Sequence, residues 1–310
     1  AAVAAQELVD VLNAEFGPGH GRTMWGLKLL VQTLLRRGVW AEAEPLALEL
    51  WKRRSSGDDP DAKSVKEARK ALVYIYVLWG KQDKADEWAS KLATSEIADL
   101  FINNQQWRAA VPYQRKYIAE IEAAEKPNAK RLSRARRLLA YVHEQSGQRD
   151  LALALLDGLS HEDLVSLANT FFEDKSWEPA RRYGVALLER RRAAKKPILA
   201  DIHAALRTLA YIEESMGRPK EAREWITQAP PVEHAGLVGF FVQDHHWEAA
   251  KRHALDALAR ARAAKAESPD TEEALRTALA HIYIEAGKPA EAREWGEPLV
   301  TKPPPAEKED

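Results

Sequence analysis

Cysteine is absent from this chain of 310 residues. Its absence excludes disulfide bonds, thiolate metal sites, iron–sulfur clusters and a cysteine nucleophile. An excess of basic charge is absent too, because 46 Lys and Arg residues against 47 Asp and Glu residues give a formal net charge of -1. This balance argues against nucleic acid or an anionic membrane as a partner, since both require a basic surface.

Long hydrophobic runs are also missing. Charged residues interrupt every apolar stretch before it reaches the roughly 18 to 20 residues that span a bilayer. No basic segment precedes an apolar one at the N-terminus, as it would in a signal peptide. These absences predict a cytoplasmic protein with no membrane segment, although a secreted chain that had lost its signal would look the same.

The sequence repeats itself at long range. Tryptophan is followed three residues later by alanine at four places, and a glycine lies 40 residues after each of these tryptophans. The tryptophans are Trp40, Trp107, Trp177 and Trp247, and the glycines are Gly80, Gly147, Gly217 and Gly287. The matched alanines are Ala43, Ala85, Ala110, Ala152, Ala180, Ala222, Ala250 and Ala292. Their spacings alternate between 42 and 25 to 28 residues and average about 35, close to the length of a two-helix repeat.

Each repeat is predicted to contain two helices. Residues 198–216 carry apolar side chains at helical spacing, Gly217 is expected to end that helix, and Pro219 to begin the next. Two stretches, 72–79 and 237–242, are β-prone, but both fall on first helices of the repeat register. We give the register priority and predict an all-α chain.

The recurring small and large side chains predict how the helices pack. Alanine allows two helix backbones to approach closely where they cross. The tryptophans permit two interpretations, an aromatic platform for a ligand or packing between repeats. Packing is favoured, because stacked repeats require about one large side chain per unit.

These features resemble tetratricopeptide (TPR) repeats, in which Leu and a small residue precede an aromatic, a turn glycine and an alanine of the second helix. The matching sets are Leu139, Ala140, Gly147 and Ala152; Leu209, Ala210, Gly217 and Ala222; and Leu279, Ala280, Tyr283, Gly287 and Ala292. The 42-residue spacing and the loops at 16–20 and 268–271 look most like the kinesin-light-chain-like subgroup. The chain departs from the family pattern where Gln105, Lys175 and His245 replace the turn glycine and where Glu213 replaces the aromatic.

The resemblance covers about residues 20–300. It implies a right-handed α-solenoid of helix-turn-helix repeats, with alternating long and short units, that binds partners in a concave groove without catalysis. We expect a single domain over 1–301, with about eight helical hairpins after an N-terminal half repeat, and a disordered tail over 302–310. Residues 1–16 match a second helix without its first, so the chain is expected to belong to a longer array.

The resemblance also implies which residues face the groove, because the first helix of each TPR hairpin lines it at positions six and ten before the turn glycine. Three long units carry a base and a tyrosine there: Lys70 and Tyr74, Arg137 and Tyr141, and Arg207 and Tyr211. The predicted groove also includes Asp99, Asn103, Arg134, Asn169 and His281. Arginine and lysine bind carboxylates, and asparagine bonds a peptide backbone. The set therefore suits a peptide with acidic residues, unless the tyrosines belong to the core and the bases are merely solvated.

Catalytic motifs are not recognisable in the sequence. Nucleotide-binding, hydrolase and zinc-protease patterns are absent, and Gly17–Gly21 is expected to form a turn. The cluster Asp244–His246 lacks helical ligand spacing, and the carboxylates of Glu213 and Glu214 would diverge on a helix. Basic runs at 189–196 and 260–265 suit helix C-termini better than an anion site. We expect no enzyme activity, cofactor or metal.

The predicted function is a scaffold that recognises a protein or peptide segment. An alternative is the regulatory or sensor arm of a larger enzyme, such as a protease or NTPase. A nucleic-acid reader of the pentatricopeptide type is disfavoured by the alternating spacing and the net charge of -1. A hydrolase with an unrecognised site has no residues in its favour.

Overall fold

The computed structural model describes residues 2–56, 62–264 and 269–300. Helices account for the regular structure in these ranges, and neither β-prone stretch forms a strand. The all-α prediction is confirmed. The chain divides into two compact units, Ala1–Ser160 and His161–Asp310, and each is treated separately below. A single domain over 1–301 stays a prediction, and the tail over 302–310 lies outside the described residues.

Unit 1 begins with a helix that packs against the first hairpin, followed by four helix pairs. Its helices are α1 (Ala2–Phe16), α2 (Gly21–Arg37), α3 (Trp40–Ser55), α4 (Ala62–Leu78), α5 (Gln82–Ala89), α6 (Thr94–Asn103), α7 (Trp107–Glu122), α8 (Ala129–Gln145) and α9 (Arg149–Leu153). A short 3-10 turn, Leu156–Gly158, follows α9. Gly17 and Gly19 lie in the turn between α1 and α2, as predicted, and Gly21 begins α2.

Unit 2 consists of four further helix pairs in its described part. They are α10 (His161–Glu173) with α11 (Trp177–Arg192), α12 (Leu199–Ser215) with α13 (Pro219–Ile226), α14 (Pro231–Gln243) with α15 (Trp247–Ala264), and α16 (Pro269–Glu285) with α17 (Pro289–Val300). Long second helices lead into long first helices, and short second helices lead into short first ones. This arrangement explains the alternating alanine spacing and confirms a solenoid-type fold of alternating helix-turn-helix repeats.

The matched alanines lie where the register places them. Each is the fourth residue of a second helix, and all eight are between 0 and 6% exposed. A larger side chain there would push the paired helices apart, because interiors are close-packed. The prediction that these positions must be small is confirmed.

All eight hairpin turns contain one residue with a left-handed backbone. Five are the glycines Gly38, Gly80, Gly147, Gly217 and Gly287, with φ between 69° and 77°. The other three are Gln105, Lys175 and His245, with φ between 54° and 58°. The departures from glycine therefore keep the turn geometry and accept its steric cost, about 1 kcal/mol each for a side chain that has a Cβ.

Glu213 replaces the expected aromatic because its packing partner differs. In unit 1 the matched residue is Tyr76, whose hydroxyl donates to Glu44 at 2.9 Å. In unit 2 the carboxylate of Glu213 is fully buried and accepts from the Nε of Arg181 at 2.5 Å. Both pairs join a long first helix to the preceding second helix, but the carboxylate and its donor have exchanged helices.

Candidate functional site

A cleft of about 280 Å³ opens in unit 1 beside its first helices. Helices α2, α4 and α6 supply most of the wall, and α3 supplies Leu50 and Arg54. The lining residues are Lys28, Val31, Gln32, Leu35, Arg36, Leu50, Arg54, Glu67, Lys70, Ala71, Tyr74, Leu100 and Asn104. We call this the basic cleft, because its lining includes four cationic side chains and one carboxylate.

The basic cleft has an apolar wall below a charged rim. Val31 and Leu50 are almost fully buried, whereas Lys28 and Arg36 are exposed. Lys28, Gln32 and Arg36 follow one another at four-residue intervals, so they share one face of α2. The arrangement offers apolar contact and positive charge to the same ligand.

Two of the four cations are already engaged within the chain. The Nζ of Lys70 lies 3.1 Å from a carboxylate oxygen of Glu67 and 3.9 Å from one of Glu96. Arg54 donates to the carbonyl oxygen of Ser64 at 3.0 Å. Among the described residues, Lys28 and Arg36 make no hydrogen bond or ion pair, so they are the cations best able to meet a ligand.

The structure places two of the predicted groove residues, Lys70 and Tyr74, in this cleft. The ring of Tyr74 stacks on Phe101 with 5.6 Å between centroids and meets Trp40 edge-on at 6.4 Å. Burial raises the pKa of its hydroxyl above the usual value. Tyr74 therefore combines a packing role with one face that lines the cleft.

Three other predicted residues form an exposed polar group on α6 and α8. They are Asp99, Asn103 and Arg134. Partial desolvation raises the pKa of the Asp99 carboxyl, and the positive charges of Arg134 and Lys70 only partly offset it. Asp99 therefore lies within electrostatic reach of both bases, although neither Asp99 nor Arg134 lines the basic cleft.

The tyrosines at the predicted groove position belong to a repeated aromatic pair. The tryptophan that begins each long second helix meets the side chain 34 residues later edge-on, with ring centroids 5.7 to 6.4 Å apart. The pairs are Trp40 with Tyr74, Trp107 with Tyr141, Trp177 with Tyr211, and Trp247 with His281. The tryptophans thus pack between repeats, as the favoured interpretation predicts.

Tyr211 is the most deeply buried member of the predicted set, at 4% exposure. Its ring stacks on Phe241, and its hydroxyl donates to Asp244. Burial, and then this hydrogen bond, raise the pKa of the hydroxyl to about 12. The ring has little surface left for a ligand, so the alternative in which the tyrosines belong to the core applies here.

The predicted bases also have internal partners. Arg207 lies 2.7 Å from Glu233, which occupies the first turn of the next helix pair. Lys70 and Glu96 stand in the same relation in unit 1, with the acid again 26 residues after the base. Arg137 is half-buried, and Asn169 is exposed on α10. Most cations at this position therefore form ion pairs with an acidic residue of the next hairpin.

Unit 2 contains a cleft most of whose lining residues correspond to those of the basic cleft when 137 is added to the residue number. Leu187 of unit 2, for example, corresponds to Leu50 of unit 1. Its volume is about 230 Å³, and it is lined by Val165, Ala168, Asn169, Phe172, Ala180, Gly184, Leu187, Arg191, Ala204, Ala205, Thr208, Leu209 and Ile212. Val165 takes the place of Lys28 and Glu173 that of Arg36. We call this the apolar cleft: the shape recurs in the repeat, but of the four cations only Arg54 has a counterpart in the lining, Arg191.

Sequence analysis missed Lys28, Gln32 and Arg36. The turn glycine of their hairpin is Gly38, and counting back six and ten residues from it gives Gln32 and Lys28. The signal was therefore present, one hairpin before the first one counted.

Two other features concern possible ligands. Within the described ranges no cluster of three or more His, Asp or Glu side chains is placed to hold a metal ion. In the cluster Asp244–His246, Asp244 bonds Tyr211 and His245 forms the left-handed turn. Among the helices of the described residues, none is both long and apolar enough to cross a membrane.

No protein-family model matches the chain, and no curated protein sequence matches it significantly. Solved structures that match include BtubC (BKLC) from P. vanneervenii, with 14% identity, a TM-score of 0.28, and coverage of 73% of this chain and 87% of that one. The apo quorum sensor NprR from B. thuringiensis has 11% identity, a TM-score of 0.30 and 96% coverage of both chains. The apo form of RapI has 12% identity, a TM-score of 0.29, and coverage of 89% and 96%.

Likeness at this level carries no argument about function. The helix pairs, the buried alanines and the left-handed turns themselves define the class, an all-α protein of helix-turn-helix repeats. The resemblance to the TPR family stays a prediction. The kinesin-light-chain-like subgroup and the right-handed sense of the solenoid stay predictions.

Proposed function

We propose that this protein is a non-catalytic scaffold that binds a protein or peptide segment on the face formed by its first helices. The observation that carries the proposal is the basic cleft of unit 1. Three first helices build it, and it combines buried apolar side chains with exposed cations. Such a surface suits a segment with both apolar and acidic side chains.

The charge of the cleft favours an acidic partner. Four cations and one carboxylate line the cleft, although the whole chain is formally -1. A locally positive concave surface attracts and orients negative groups, and hydrogen bonds between arginine or lysine and a carboxylate are stronger than neutral ones. In unit 1, Asp99, Asn103, Arg134, Arg137 and Tyr141 remain proposed binding residues, and in unit 2 Asn169 and His281 remain so.

Selection from random linear peptides tests this function. The full chain is immobilised, and enriched peptides are resynthesised with a photo-reactive residue and crosslinked to the protein. We expect crosslinks on α2, α4 and α6. Crosslinks confined to the second helices, or the absence of any enriched peptide, would contradict the proposal.

A further inference from the structure

We infer that the basic cleft selects an extended segment with two acidic side chains four residues apart and an apolar side chain midway between them, and that Lys28 and Arg36 receive the two carboxylates. This inference rests on the proposed function, since it specifies the segment that the same site binds. It also assigns the specificity to α2 rather than to Lys70, which the repeat pattern had indicated.

Lys28 and Arg36 are inferred to bind the ligand because the other cations of the cleft already have partners within the chain. Lys70 is within 4 Å of two carboxylates, those of Glu67 and Glu96, so much of its charge is already neutralised. Lys28 and Arg36 are exposed on one face of α2 and have no ionic partner among the residues that the structure describes. A ligand carboxylate therefore gains most from these two.

The spacing follows from helix geometry. Lys28 and Arg36 are eight residues apart, which is about 12 Å along a helix that rises 1.5 Å per residue. An extended peptide rises about 3.3 Å per residue, so four residues cover about 13 Å. Side chains two and four residues apart also point to the same side of an extended peptide. An acid, a middle residue and a second acid at this spacing thus face α2 together.

The middle position is apolar because of what lies between the two cations. Val31 and Leu50 are already buried, so the apolar groups that a ligand can still cover include the partly exposed Leu35, Ala71 and ring of Tyr74. A ligand side chain that covers these groups removes apolar surface from water.

The carboxylate of Glu67 competes with a ligand carboxylate for the positive charge of the cleft. This carboxylate lines the cleft and is 46% exposed, and it holds Lys70. Its negative charge opposes an incoming carboxylate. Glu67→Gln should therefore strengthen binding by about two- to threefold, since it removes this repulsion and also releases Lys70 from one of its two partners.

The test uses fluorescein-labelled peptide amides and fluorescence anisotropy with the full chain. The probe is Gly-Glu-Thr-Leu-Thr-Glu-Gly, and its isomer Gly-Glu-Glu-Leu-Thr-Thr-Gly has the same composition with adjacent acids. We expect the probe to bind about fivefold more tightly than the isomer. The K28E/R36E variant should weaken probe binding by about tenfold.

The matched control is K116E/K130E, which makes the same change in net charge at exposed bases of α7 and α8 outside the cleft. It should leave probe binding unchanged. Equal binding of probe and isomer, or equal losses in the two variants, would overturn the inference. If the peptide selection yields segments that crosslink to the first helices but show another acid spacing, the proposed function stands and this inference fails. No peptide binding at all would remove both.

Discussion

The two clefts occupy the same place in the repeat, yet one is basic and the other apolar. The basic cleft presents Lys28 and Arg36, and the matched side chains of unit 2 are Val165 and Glu173. The hairpin register that forms both clefts is set by alanines and turn residues, and of these only Ala180 is among the lining residues of either cleft. Shape and charge are therefore specified by different residues, and a function can be placed at one repeat without disturbing the fold of the others.

The side-chain pairs that connect a second helix to the next first helix also differ between repeats while the backbone arrangement stays the same. Tyr76 and Glu44 in unit 1 become Glu213 and Arg181 in unit 2, with donor and acceptor exchanged. In the last hairpin pair the matched residues are Tyr283 and Lys251, whose ammonium lies 5.0 Å from the ring centroid. The backbone requires only that the two side chains fit together.

The largest expected effect is at the joint of unit 2. Glu213→Ala removes the acceptor for Arg181 and Trp225 and should lower the free energy of unfolding by about 3 kcal/mol. The loss is at the low end for a buried ion pair, because Arg181 is 34% exposed and can turn towards water. Tyr76→Phe in unit 1 loses one hydrogen bond and should cost about 1 kcal/mol. Urea unfolding measures both changes.

Introducing the Glu–Tyr pair of unit 1 into unit 2 should restore much of the stability that is lost in Glu213→Ala. The double variant R181E/E213Y recreates the arrangement of Glu44 and Tyr76, and it should recover more than half of the stability that Glu213→Ala loses. If Glu213→Ala costs no more than Tyr76→Phe, the two joints do not differ as described.

Lowering the pH should reduce the stability of the helix pair α14–α15 more than that of the matched helix pairs. His234 is fully buried where three other hairpins have Leu27, Thr94 and Leu164. Burial, and then the positive charge of Arg260, lower its pKa to about 4 from 6.5. The folded protein therefore keeps His234 neutral, and the unfolded chain takes up a proton as the pH falls below 6.5.

The loss of stability from this group should be about 2 kcal/mol between pH 7 and pH 5, and it should level off below pH 4. His253 and Arg260 add positive charge around His234, and Asp256 opposes them. Hydrogen exchange of 231–264 across this pH range measures the effect, with 94–122 as the comparison. His234→Leu should flatten the dependence in 231–264, and an unchanged slope would contradict the assignment to His234.

A third comparison concerns one register position of the long second helices, which holds a small residue in both hairpins that form a cleft and also in α15, where it is Ala254. The hairpins with clefts hold Ala47 and Gly184 at one register position, whereas α7 has Gln114 there. Gln114 is 1% exposed and donates to the carbonyl oxygen of Ala135 at 2.8 Å. Gln114→Ala should open a new cavity and cost about 2 kcal/mol, measured by thermal unfolding. A neutral effect would show that the small residues do not determine the clefts.

The smallest expected effects are at the three turns that lack glycine. Gln105→Gly, Lys175→Gly and His245→Gly should each stabilise the chain by about 0.5 to 1 kcal/mol, because glycine adopts a positive φ without steric cost. Gly217→Ala is the reverse control and should destabilise by a similar amount. Destabilisation by all three glycine variants would show that the side chains contribute more than their strained backbones cost.

The sequence predicted the fold well because the fold depends on local and periodic features. Turn residues, the alanine five residues later and the tryptophan at the helix start are all fixed by spacing along the chain. The pairing of charges was missed, although Lys70 with Glu96 and Arg207 with Glu233 share a spacing of 26 residues. The two partners lie on different hairpins, and the repeat pattern does not say which side chains meet there.

The site was accordingly predicted only in part. Lys70 and Tyr74 were found because they follow the pattern of the long units. Lys28 was missed because its hairpin was not counted, and Arg36 lies outside the positions six and ten before the turn glycine. Tyr211 shares that pattern but is buried, since Phe241 and Asp244 of the next pair cover it. Sequence register identifies a face of a helix, and the neighbouring hairpin decides how much of that face a ligand can reach.

The most direct test exchanges the charges of protein and peptide together. Wild-type protein and the K28E/R36E variant are each titrated with the peptide Gly-Glu-Thr-Leu-Thr-Glu-Gly and with its twin Gly-Lys-Thr-Leu-Thr-Lys-Gly. Binding through Lys28 and Arg36 predicts that wild-type protein prefers the acidic peptide and the variant prefers the basic one. If the variant still prefers the acidic peptide, the basic cleft of α2 is not where the partner binds.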